Sequence, residues 1–217
     1  MSTTKKGQRC AGGLPLRRAL KEWCKLNERI VKEWGGDVPW WYNERASLSV
    51  FAGAISRSGD FAFEEFSSEK RQASPRTSKS HLSYKGRVDL YFNIRRKSFI
   101  AEAKMCWPRC DRLHPKRQKK IEQSLDHACQ DVAISAPYGQ RRIGMLFVAP
   151  RWNRNPKTDI ARRVDDWIDK ISAIECDAVA WIFPKAATAV YSGGYLYPGV
   201  AVLIKEVRRW RRKPTRR

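Results

Sequence analysis

A chain of 217 residues with 42 % hydrophobic side chains is long enough for one well-buried core and short for two. Nine Trp, seven Tyr and eight Phe exclude a disordered chain, and no apolar run approaches the roughly 18 residues that would span a bilayer. The charge is the outlier: 44 Lys and Arg against 22 Asp and Glu give a formal net charge of +22, a field that calls for a polyanionic partner.

Nucleic acid is the first such partner, DNA ahead of RNA, and an anionic membrane surface falls behind because it would leave the clustered acids described below without a role. MSTTKKGQRC leads into no apolar signal core, so a soluble, cytoplasmic protein is expected. The six cysteines form no paired framework and read as reduced thiols; Cys106, Cys110 and His114 fall short of a zinc pattern.

In chain order, Met1–Gly13 is polar and reads as a frayed tail. From Leu14 to Trp34 the apolar residues recur at steps of three and four, with Arg and Lys on the remaining faces, which predicts a basic amphipathic helix. A second helix is predicted over Tyr42–Arg57, with Asn43 as N-cap. Phe61–Phe66 reads as a strand and Ser67–Ser83 as a polar, exposed loop.

Gly86–Lys104, GRVDLYFNIRRKSFIAEAK, is the centre of the chain. It reads as two strands, VDLYF and SFIAEAKM, joined by a short basic turn. Glu102 and Lys104 alternate onto one face of their strand, roughly 6 to 7 Å apart, with Asp89 on the neighbouring strand. Two carboxylates and a lysine on adjacent strands are what a magnesium-dependent phosphodiesterase needs: hard oxygen ligands for the cation and a fixed positive charge beside the attacked phosphate.

Arg109–Lys120 follows as a basic connector, then a helix over Ile121–Ser135 and a doubly buried strand over Ile143–Ala149. A helix over Thr158–Ile174 and strands at Val179–Phe183 and Val200–Ile204 complete the body. The expected division is 1–39 for tail and basic helix, 40–150 for the core, 151–207 for elements completing the same domain, and 208–217 for a basic tail. The strand–helix–strand crossover together with a tight hairpin predicts an α/β fold with a mixed central sheet flanked by helices.

The order helix, hairpin with an acid on its first strand, E-x-K on the second, helix, strand resembles the PD-(D/E)XK nuclease superfamily, the restriction-endonuclease-like fold with its αβββαβ core. The resemblance covers roughly Trp40–Ala149, and Val88 stands where the motif name has Pro. It implies a hydrolase that cuts phosphodiester bonds with Mg²⁺, for which Mn²⁺ can substitute. Asp89, Glu102 and the Ala103 carbonyl would hold the metal, Lys104 would orient or help deprotonate the attacking water, and Glu44, on the helix before the hairpin, would complete the shell. Gln130 would contact phosphate or water from the following helix; Glu64 and Glu65 are rival sources of the third acid.

Backbone contacts are expected from Arg95, Arg96 and Lys97 at the turn, from Lys116, Arg117, Lys119 and Lys120 before the helix, and from Arg208, Arg209, Arg211 and Arg212 in the tail. The rival class is a non-catalytic nucleic-acid-binding protein on the same fold. The sequence leaves open a homodimer or larger complex.

Overall fold

A computed structural model of the chain describes residues 1, 3–35, 37–71, 83–109, 115–135, 140–153, 159–189 and 191–207. Cys110, His114 and the tail arginines Arg208, Arg209, Arg211 and Arg212 lie outside the described residues. The protein is a mixed α/β fold built on a seven-stranded sheet. The strands are β1 (Lys5–Cys10), β2 (Phe61–Arg71), β3 (Ser83–Ile94), β4 (Lys97–Cys106), β5 (Arg141–Val148), β7 (Ala178–Phe183) and β10 (Val200–Glu206), in the spatial order β1-β7-β10-β5-β4-β3-β2. A short β6 (Trp152–Asn153) pairs with β9 (Tyr195–Leu196), which pairs with β8 (Tyr191–Ser192), in a separate three-stranded sheet.

β4 and β5 run parallel, and the other neighbours in the large sheet run antiparallel. The parallel pair needs a crossover, which α4 (Pro115–Ala133) supplies. Alternation along the central strands splits the core in two. Met145, Phe147, Val202 and Ile204 face a layer made by α1 (Arg17–Glu33) and α3 (Glu44–Arg57), with Leu20, Trp23 and Phe51. Leu146, Val148, Ala201 and Leu203 face α4 and α5 (Ile160–Ser172), with Ile121, Leu125 and Trp167. No helix among the described residues is long and apolar enough to cross a membrane.

Local chemistry sets the element ends. The Asn43 side chain accepts the Ala46 N–H at 2.9 Å and starts α3, just after the one-turn α2 (Pro39–Tyr42). Asp159 does the same for α5, accepting from Arg162 N–H at 3.1 Å. Arg95 and Arg96, with φ of 50° and 61°, form the two-residue turn between Ile94 and Lys97, the backbone that a tight hairpin twist demands.

Three segments depart from their sequence reading. Lys5–Cys10 is an edge strand held by backbone pairing to Ala178–Phe183, not a frayed tail. Ser67–Arg71 and Ser83–Arg87, read as part of an exposed loop and its margin, extend the hairpin of β2 and β3, with Lys70 opposite Tyr84. Lys116–Lys120, read as connector, are the first turns of α4, which begins at Pro115.

Candidate active site

β3 and β4 pair from Ile94↔Lys97 up to Leu90↔Ala101, where the register ends. The next link between them is a side chain: Asp89 Oδ2 accepts the Ala103 N–H at 2.8 Å. That bond fixes the Asp89 carboxyl at the point where the two strands part, beside Glu102. On its other side Glu102 lies opposite Gly144 of β5. A Cβ on Gly144 would stand 2.6 Å from Cys129 Sγ and 2.7 Å from Cys129 N, so the glycine is what allows α4 to rest against the sheet next to Glu102.

Glu102 is 5 % exposed, and burial is the main cause that lifts its carboxyl from the ordinary 4.5 to about 7. Asp89, by charge and hydrogen bond, pushes the same way; the Lys70 ammonium, 2.8 Å from Glu102 Oε1, opposes it. Lys70 reaches that position across Gly86, where a Cβ would lie 2.9 Å from Lys70 Cγ and Cδ. Glu44, the first residue of α3, is half-buried, and burial followed by the Asp89 charge raises its carboxyl while Lys104 lowers it.

Glu102 and Lys104, expected on one face of β4, each take a different partner. Lys104 Nζ sits 2.7 Å from Asp131 Oδ2 on α4, and Glu102 is bonded to Lys70 instead. Burial alone would lower the Lys104 ammonium, but Asp131, Glu44 and Asp89 outweigh it and raise the group above its usual range. Lys104 is therefore a firm cation at neutral pH. It can orient water and offset phosphate charge, and it is a poor proton acceptor.

The structure brings Asp89, Glu102, Glu44 and Lys104 within one cluster of interacting charges and adds Asp131 and Lys70: four carboxyl groups against two ammonium groups in a strongly basic chain. Gln130, one position earlier on α4, is exposed, and Asp131 is the residue whose carboxylate meets Lys104. The rival acids are engaged elsewhere: Glu64 accepts from Ser49 Oγ at 3.0 Å, and Glu65 pairs with Arg45 and Arg87 at 2.9 and 3.4 Å. Asp131 was visible in principle, as an acid flanking the apolar stripe Ile121, Leu125, Ala128 and Val132; Lys70 carried no sequence signal.

Among the described residues no group of three or more His, Cys, Asp and Glu converges as a ready-made metal cage. The donor set nonetheless fits magnesium, which binds through one or two carboxylates and keeps several waters. Glu102, raised to about 7 by burial and pushed the same way by the Asp89 charge, is a carboxyl whose ionised form a divalent cation would stabilise.

Basic groups bracket the cluster. Arg95, Arg96 and Lys97 are exposed at the start of β4. At its other end, Cys106, Trp107, Arg109, Arg117 and Lys120 line a cleft of about 340 Å³ between β4 and α4. Lys116, Lys119 and Lys120 are exposed on the opening turns of α4.

No protein-family model matches the chain, and no curated protein matches it. Among solved structures, one described as "Crystal structure of SSO0001" is 15 % identical, over 72 % of this chain and 75 % of that chain, with a TM-score of 0.21.

Proposed function

We propose that this chain is a metal-dependent nuclease of the PD-(D/E)XK superfamily, hydrolysing phosphodiester bonds in nucleic acid, with DNA as the preferred polymer. The observation that carries the reading is the Asp89–Glu102 pair, held where two strands part, with the protonated Lys104 two residues further along the same strand. Acids gathered beside a polyanion's path are unfavourable unless a cation bridges them.

The residues divide the work by position. Asp89 and Glu102, with the Ala103 carbonyl, would hold Mg²⁺ or Mn²⁺, and the metal would supply charge neutralisation at the phosphate and a more acidic bound water. Lys104, oriented by Asp131, places its ammonium toward the attacking water and the developing phosphate charge. Glu44 adds a carboxyl on the α3 side of the cluster. Arg117 and Lys120 in the cleft and Arg95–Lys97 at the turn take the flanking phosphates.

The decisive experiment incubates the full chain with plasmid, linear duplex, single strands, branched DNA and RNA, in magnesium, manganese or chelator. Metal-dependent cleavage of at least one substrate, abolished by Glu102→Gln and Lys104→Ala, is expected. Cleavage that survives both substitutions would remove the site from the reaction.

A second reading, a nucleic-acid-binding protein without catalysis, draws on the same geometry: Lys70 and Asp131 already neutralise Glu102 and Lys104 internally. Tight binding with no cleavage of any substrate, and no metal bound by the wild-type chain in calorimetry, is the outcome that selects it.

A further inference from the structure

Beyond the carboxyl cluster, the sheet carries a row of aromatic rings, three of them exposed among the described residues. Phe61, Phe63 and Phe66 are 48 %, 54 % and 40 % exposed. They gather round the half-buried Tyr91, with centroids 6.4, 6.3 and 4.8 Å from its ring and planes inclined by 30°, 24° and 27°. Phe63 stands opposite Tyr91 across the strand pair, and Phe61, two residues earlier, shares its side. Strict alternation would send Phe66 to the other face. Glu65 adopts a φ of 53°, a conformation that residues with a β-carbon rarely take, and Phe66 returns to the row.

The other face of these strands is covered by α3: Phe92 packs on Phe51 at 6.4 Å, and Glu64 takes the Ser49 hydrogen bond. The aromatic face has no helix layer of this kind among the described residues: α4 packs over β4 and β5 and touches only its Tyr91 edge, where Tyr91 packs against Val88, Ile100 and Val132. The row also continues the floor of the carboxyl cluster. Tyr91 lies opposite Ile100, two residues before Glu102, and two residues after Asp89.

Exposed Arg95, Arg96 and Lys97 border one end of the row, and exposed Lys85 and Arg87 the other. A second copy of this chain would bring the same basic rim and the same large positive charge against it, which disfavours self-association. An anionic ligand with flat apolar faces suits both parts of the surface. We propose that the Phe61–Phe63–Phe66–Tyr91 row is a stacking platform for unpaired bases, which makes a single-stranded polynucleotide the substrate class of the neighbouring cluster. The platform rests on the nuclease reading for its purpose. Bases in a duplex present their faces to one another, so the row separates unpaired from paired strands while the arginines and lysines hold either backbone.

The test is a binding measurement on the full chain in chelator, which keeps it apart from cleavage. The probes are a fluorescein-labelled oligodeoxythymidylate of about 20 nucleotides and a blunt duplex of similar length, followed by anisotropy. The wild-type chain is expected to prefer the single strand. Replacing both Phe61 and Phe63 by Ala should weaken that binding by about 10- to 100-fold with duplex affinity and melting temperature held, and Phe63→Trp should retain it. Equal losses on both probes, no loss on either, or no single-strand preference in the wild type would overturn the platform. So would a dimer in light scattering that the double substitution converts to monomer, which assigns the row to a second copy. Single-strand preference together with metal-supported inactivity on every substrate keeps the platform and removes the nuclease; cleavage without the preference does the reverse.

Discussion

Lys70 Nζ lies 2.8 Å from Glu102 Oε1, so an ammonium from the β2–β3 hairpin rests on the carboxylate that would serve as a metal ligand. Both side chains are largely shielded, at 16 % and 6 % exposure, and the pair is screened little by salt. A divalent cation binding at Glu102 would compete with this ammonium for the carboxylate. At pH 8, Lys70→Met should bind Mn²⁺ about tenfold more tightly in titration calorimetry and should melt at a lower temperature without metal, because it leaves a buried carboxylate unpaired. Weaker Mn²⁺ binding in the variant would show that Lys70 helps to build the site.

Glu102 predicts an unusual pH dependence of stability. Its carboxyl titrates near 7 in the folded chain and near the ordinary 4.5 when unfolded, so between those values the native state holds the extra proton. Folding stability contributed by this group is therefore present at low pH and lost as pH rises from about 4.5 through about 7. Glu102→Gln should flatten that slope and stabilise the metal-free chain at pH 8 by roughly 2–3 kcal/mol in urea denaturation, with little change at pH 4.5. Because a ligand carboxyl must lose its proton, Mn²⁺ affinity and cleavage should both climb through pH 7. A stability profile that rises from pH 5 to 8 in the wild type, and not in the variant, contradicts the assignment.

The hairpin was legible because Val88, Leu90 and Phe92 alternate with Asp89 and Tyr91, and a short basic turn separates them from the apolar run Phe99–Ala101. Asn43 announced α3 because capping is a local event. What escaped is what pairing across the fold decides. KKGQRC has no apolar alternation and becomes a strand through the backbone of Ala178–Phe183. KRQKK lacks the apolar stripe that marks a helix, yet the stripe beginning at Ile121 carries α4 back through it to Pro115. The partners of Glu102 and Lys104 lie 32 and 27 residues away in sequence, at Lys70 and Asp131, and residue spacing contains no record of them. Asp131, which meets Lys104, stands one helical position, about 100° of rotation, beyond the expected Gln130.

Asp131 should matter to activity far more than to folding. Its pair with Lys104 at 2.7 Å is 45 % and 39 % exposed, so solvent screening holds its worth to stability below about 1 kcal/mol. Asp131→Asn should leave the melting temperature within a few degrees and lower metal-dependent cleavage about tenfold, since the ammonium loses the group that aims it. Lys104→Arg should not rescue Lys104→Ala, because a planar fork cannot occupy the place of a compact ammonium. An Asp131→Asn enzyme of full activity would make the pair incidental to the chemistry.

Gly144 controls how closely α4 approaches the cluster. A Cβ there would meet Cys129 Sγ at 2.6 Å and the Cys129 backbone at 2.7 and 3.0 Å, and backbone cannot swing aside as a long side chain can. Gly144→Ala should therefore lift the helix, cost about 1–3 kcal/mol in urea denaturation, and carry Asp131 away from Lys104. Adding Cys129→Ala removes the sulfur contact and leaves the backbone contacts, so it should recover only part of the loss. The same displacement should lower cleavage beyond the Asp131→Asn level, because the cleft residues Arg117, Lys120 and Ser124 ride on the same helix. If Gly144→Ala folds and cuts like the wild type, α4 is not seated by this glycine, and the spacing between sheet and helix that places Asp131 must be set at Ile121, Leu125 and Ala128 instead.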